Sequence, residues 1–112
     1  MNSNRQEKIA KQIQKDMAEI LRQQMPEVAL GSLVTVTAVR VSPDFAYAKV
    51  YVSVFPFDRH EQVMQSLAQH ARPLRGLLGN RLRNQLKSIP EIQFFLDDSL
   101  EYIEHIEQAM KK

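Results

Sequence analysis

The first apolar run follows a helical spacing. Ile9, Ile13, Met17, Ile20 and Leu21 fall on one stripe, which predicts an amphipathic helix over residues 4–25. Ser3, with Gln6 three residues on, supplies a capping-box start, and Pro26 stops the helix by disfavouring helical geometry in the residue before it. The period then changes to two. In LVTVTAVRVS, Val34 and Val36 alternate in one phase and Val39 and Val41 in the other, so a slip of one residue near Ala38 predicts a β-bulge within a single strand. Ser42, Pro43 and Asp44 carry turn chemistry, and FAYAKVYVSVF, residues 45–55, is rich in β-branched and aromatic side chains. The two strands make a hairpin.

Helical spacing returns at Asp58, which with Glu61 forms a second capping pair ahead of Val63, Met64 and Leu67. That helix should end near Ala71, because Pro73 disfavours helical geometry in Arg72. Proline is tolerated in a first turn, so a new helix over residues 73–87 restarts there with Leu74, Leu77, Leu78 and Leu82 on one face. Ser88, Ile89 and Pro90 close it, EIQFFLD reads as a third strand, and Asp98 with Glu101 caps a last helix, about 99–110, that turns Leu100, Ile103 and Met110 inward. The order helix, strand, strand, helix, helix, strand, helix is that of an α+β fold with helices layered on a three-stranded sheet. A length of 112 residues suffices for one modest core, so residues 1–112 are read as one domain with its core at about 4–98.

Composition narrows the class. An apolar fraction of 44% and a charged fraction of 25% are those of a globular chain. The absence of cysteine excludes disulfides, thiolate nucleophiles and Cys-based zinc sites, and suits a reducing cytosol. The polar start MNSNRQEKIAKQIQK lacks the apolar core of a signal peptide, and no run approaches the roughly 20 apolar residues of a membrane span. A soluble cytoplasmic protein with no membrane partner is the expectation.

Charge is unevenly distributed behind a net +2: residues 70–87 carry five cations and no acid, whereas residues 88–112 carry two cations against six acids. Such a field steers polyanions toward one face. On a wheel of about 100° per residue, Arg72, Arg83 and Lys87 lie opposite the leucine stripe, Arg75 flanks them, and Gly76 and Gly79 share the same side. Glycine costs about 1 kcal/mol relative to alanine within a helix, so two exposed glycines point to close approach by a bulky partner. Arg81 falls on the apolar side, where packing of its stem and pairing to a carboxylate is the expected role. The five cations also forgo the i to i+4 acid pairs of an ordinary solvated helix.

Other constellations carry less. His60, His70 and His105 share no metal-ligand spacing, and Asp97 and Asp98 are better read as caps than as an acid/base couple. No Walker motif, dinucleotide fingerprint or nucleophile elbow occurs, so no enzyme, cofactor or metal is expected. Phe45, Tyr47, Tyr51 and Phe55 alternate on one side of the second strand. They could stack on bases, but a small sheet under helices needs bulk, and the core is their expected place.

Strand, helix, helix, strand is the minimal KH arrangement, and GLLG at Gly76 to Gly79 has the GxxG form; it lies inside the second helix of the pair, however, not between the two. The hairpin VTVTAVRVSPDFAYAKVYVSVF, the segment RPLRGLLGNRLRNQL and the strand IPEIQFFLDDS resemble the ribosome-binding factor A family of bacterial small-subunit maturation factors. The resemblance implies a type II KH-like fold in which an interhelical Ala-x-Gly kink, here Ala71, Arg72 and Pro73, replaces the GxxG loop; proline stands where the family usually has glycine.

It further implies binding to the immature small (30S) ribosomal subunit and its 16S rRNA, assistance in maturing the 5′ end of that RNA, notably in the cold, a monomer, and other assembly factors as candidate partners. Carried onto this chain, the RNA-facing cations are Arg72, Arg75, Arg83 and Lys87, then Arg81. Lys49 and the first-helix residues Lys8, Lys11 and Lys15 are secondary, and a solvated helix side accounts for the last three equally well. The alternative is a protein-interaction module whose basic helix docks an acidic partner.

Overall fold

The computed structural model describes residues 4–97; the capping role of Ser3, the last helix at 99–110 and His105 lie outside the described residues. Helix α1 spans Asn4–Glu19 and continues as a π-helical turn, Ile20–Gln24, closed by a bond of 2.8 Å from Met25 N–H to the Ile20 carbonyl. The wide turn replaces the α-helical end expected at residue 25. It adds a residue to the last coil, so Ile20 and Leu21 both face the core ahead of Pro26. A 3-10 turn, Pro26–Ala29, buries Val28, and positive φ at Leu30 and Gly31 reverses the chain into the sheet.

Strands β1 (Leu33–Val41) and β2 (Tyr47–Phe55) pair antiparallel. The register slips between Val36 and Ala38, which leaves Thr37 as the extra residue and realises the expected bulge. Thr37 Oγ1 donates to Asp97 Oδ2 at 2.6 Å, tying the bulge to the residue that follows the third strand. A turn at residues 42–46 joins the strands, so β2 begins two residues later than position 45: Asp44 Oδ1 accepts from Ser42 Oγ and from the Ala46 N–H, and Phe45 adopts φ +60°. Strand β3 (Glu91–Leu96) runs parallel to β2 on its other edge, giving the order β1-β2-β3; the parallel pair requires the crossover that α2 (His60–Gln69) and α3 (Ala71–Leu82) provide. No helix among the described residues is long and apolar enough to cross a membrane.

The core forms where one face of the sheet meets the helices. Ile13 and Met17 from α1, Val63 and Leu67 from α2, and Leu74, Leu78 and Leu82 from α3 close over Val36, Ala48, Val50, Val52 and Ile92. This corrects the expected place of the aromatics. Along β2 the residues turned inward are Ala48, Val50, Val52 and Val54, while Tyr47 is 51% and Phe55 71% exposed and Tyr51 is half-buried. Only Phe45, in the turn, packs against the core. Long leucine, isoleucine and methionine side chains fill the space above the sheet, so small strand residues fit beneath them and the rings occupy the other face.

Two helix ends also differ from expectation. A 3-10 turn at Phe57–Arg59 precedes α2, so the helix starts at His60 with Arg59 at its N-cap position, and Asp58 makes no side-chain cap. Helix α3 stops at Leu82 rather than 87: Gln85 and Leu86 N–H both return to the Leu82 carbonyl, and burial of Leu86 and Pro90 draws the chain back toward the sheet edge.

Candidate nucleic-acid interface

A single residue, His70, joins α2 to α3, with φ −103° and ψ 13°. Its Nδ1 lies 2.8 Å from the Ser66 carbonyl; a carbonyl only accepts, so Nδ1 carries the hydrogen. Ala71, Arg72 and Pro73, the residues expected at the kink, follow directly as the first turn of α3, where the missing proline N–H is one that no helical carbonyl would have met.

From that start the 3.6-residue period turns Leu74, Leu78 and Leu82 inward and leaves Arg72, Gly76 and Asn80 outside. Beyond Leu82 the returning segment 83–90 forms a second wall. Arg75 fastens it: Nε donates to the Pro90 carbonyl at 3.0 Å and Nη2 to the Ile89 carbonyl at 2.6 Å. Between the walls lies an open groove of about 580 Å³, lined by Arg72, Arg75, Arg83 and Lys87 together with Gly76, Gly79, Asn80 and Ile89, and by no acidic residue. Among the described residues none of these four cations has a carboxylate partner, since both ion pairs belong to Arg81. Lys87 reaches the groove from the loop, not from the helix position assigned to it on the wheel.

The glycines differ from each other. A Cβ on Gly79 would stand 3.1 Å from Ile89 Cγ1, so close packing of the second wall accounts for that glycine; a Cβ on Gly76 would meet nothing within 4 Å. Gly76 therefore leaves a low place in the groove floor that no contact within the described chain uses.

Arg81 points away from the groove. Nη1 lies 3.0 Å from Glu19 Oε1 and 3.4 Å from Asp16 Oδ1, as the apolar-side wheel position led us to expect. Lys8, Lys11 and Lys15 are exposed on α1. Lys49 projects from β2 on the sheet face turned away from the helices, so it shares no surface with the α3 groove. Two residues that the sequence pattern did not single out join the site. Asn80 lines the groove, and Arg5, 4.9 Å over the Phe45 ring, lines a neighbouring hollow that shares Arg83 and Lys87. His60 Nδ1 is engaged with the Phe57 carbonyl at 2.8 Å.

Two-walled, cationic and open, this groove can hold a polyanionic backbone by charge-assisted hydrogen bonds. Residues 5–110 match the family described as Ribosome-binding factor A. A Ribosome-binding factor A from Christiangramia forsetii is 40% identical over 97% of this chain and 84% of that protein, and one from Cytophaga hutchinsonii is 37% identical over the whole of this chain and 84% of its own length. The crystal structure of ribosome-binding factor A from Thermus thermophilus superposes with a TM-score of 0.70 at 25% identity, over 81% of this chain and 94% of that one. A homology model of the Thermus thermophilus protein, fitted into an electron cryo-microscopy map of a 30S complex, gives a TM-score of 0.61 at 29% identity over 77% and 88%.

Proposed function

The chain belongs to the ribosome-binding factor A family, and from that membership we propose that it binds the small ribosomal subunit, with the α3 groove set against 16S rRNA. The observation that carries this reading is the groove itself: four cations around Gly76 and no acid. Phosphates entering it would release counterions from the RNA, so affinity would fall steeply with salt, by a slope of about −0.7 to −0.9 per phosphate contacted. Contacts of this kind position a protein without reading sequence. Specificity then comes from the folded shape of the immature subunit.

The protein acts by differential affinity. It holds an rRNA conformation present in the precursor, favours maturation of the RNA 5′ end, notably in the cold where misfolded RNA escapes slowly, and leaves when that conformation is lost. No catalytic step by the chain is needed. Gradient sedimentation of cell extract tests the reading: the protein should travel with free small subunits, and migration with translating ribosomes, or with neither, would refute it.

A further inference from the structure

The sheet face turned away from the helices carries its own ordered surface. Cross-strand partners there fall in rows: Arg40, Lys49 and Gln93 in one, Ala38, Tyr51 and Phe95 in the next, with Tyr47 beside Glu91 at the end. Tyr51 and Phe95 stack at 5.6 Å between centroids, and Lys49 Nζ lies 5.8 Å over the Phe95 ring. Tyr47 and Phe95 are 51% and 38% exposed, and Ala38 leaves the flank of the ring pair open.

Two features of this face call for a partner. Arg40 and Lys49 stand directly opposite each other across an antiparallel pair, an arrangement that disfavours the hairpin unless an anion lies between them. Among the described residues, the two carboxylates on this side sit at its ends: Glu91 beside Tyr47, and Asp97 already bonded to Thr37. The rings, for their part, contribute little to the core, which lies on the opposite face.

We propose that this face is a second RNA-binding surface, taking unstacked bases of a single-stranded segment on Tyr47 and on the Tyr51–Phe95 pair while Arg40 and Lys49 hold the intervening phosphates. Tyr47 and Tyr51 are four residues apart on one strand, about 13 Å at the usual rise of ~3.3 Å per residue. That is about four times the ~3.4 Å step of stacked bases, so only a strand with its bases splayed out reaches both stations. Aromatic stacking with a cationic track is sequence-tolerant. The surface goes beyond the α3 groove and does not depend on it, because the sheet separates the two.

The test measures anisotropy of a short fluorescein-labelled oligouridylate, and of a fully paired RNA hairpin, with the full chain. Tyr47→Leu, Tyr51→Leu and Phe95→Leu keep an apolar side chain but remove the ring. Each should weaken oligouridylate binding roughly 5- to 150-fold with little change toward the hairpin, and the same ratio should persist in an Arg83→Glu, Lys87→Glu background, which separates this surface from the groove. Unchanged oligouridylate affinity in the three variants overturns the proposal. If Tyr47→Leu instead melts at lower temperature, the face packs against protein, and the proposal is equally overturned. Tyr47, the most exposed of the three rings, keeps the test decisive should Tyr51→Leu fail to fold.

Discussion

Arg81 Nη1 lies 3.4 Å from Asp16 Oδ1, a carboxylate whose side chain is 7% exposed, and the pair locks α3 to α1. Gln12 Nε2 donates to the other oxygen of Asp16 at 3.0 Å, so the buried charge is fully partnered. Removing the arginine would leave that charge buried and short of donors. Arg81→Met should therefore cost about 1–3 kcal/mol, read as a lower urea midpoint at unchanged slope, while small-subunit affinity of the folded variant stays near wild type.

Gly76 is expected to behave in the opposite way. Its Cβ position is open, so Gly76→Ala should gain helix stability of about 0.5–1 kcal/mol. If the groove floor receives RNA backbone, the same methyl group should weaken small-subunit binding. Higher thermal stability combined with lower affinity is the signature; Gly79→Ala, pressed against Ile89, should show no such gain.

Tyr47→Ala should leave the fold intact, with a loss below about 1 kcal/mol, because its ring lies on the open sheet face. Leu78→Ala, at a fully buried position beneath α3, should cost about 2–5 kcal/mol. Thermal unfolding of the two variants side by side checks the assignment of faces.

Asp44 supplies a pH dependence. Hydrogen bonds from Ser42 and from the Ala46 N–H hold its carboxyl below the ordinary value of 3.8. A lowered folded pKa contributes stability that is present above the unfolded value and lost as pH falls through the folded one. Wild type should thus lose stability relative to Asp44→Asn on acidification below about pH 4, and the difference should be constant from there to neutrality; urea midpoints across that range measure it.

Much of this architecture is legible in the chain. Val34 and Val36 against Val39 and Val41 announce the bulge that leaves Thr37 unpaired, and Leu74, Leu78 and Leu82 mark the buried stripe of α3. What escaped has physical causes. In FAYAKVYVSVF one phase, Ala48, Val50, Val52 and Val54, is small and apolar throughout, whereas the other mixes Lys49 and Ser53 with four rings; the bulk of those rings favoured the wrong face. Leu86 continues the four-residue spacing of Leu78 and Leu82 while lying past the helix end, so no change of pattern marks the turn at Leu82. The groove residues Arg72, Arg83 and Lys87 stand out by unopposed charge. Asn80 and Arg5 carry no such mark, because loop return and helix packing bring them there.

The most direct test compares wild type with Arg72→Glu, Arg83→Glu, Lys87→Glu in binding to purified immature small subunits over a series of salt concentrations. Arg75 is left in place because it anchors the Ile89 and Pro90 carbonyls. The triple variant should melt within a few degrees of wild type, bind at least about 100-fold more weakly, and show a log K against log salt slope shallower by about 3. Wild-type affinity and slope in the folded triple variant would contradict the setting of the α3 groove against 16S rRNA.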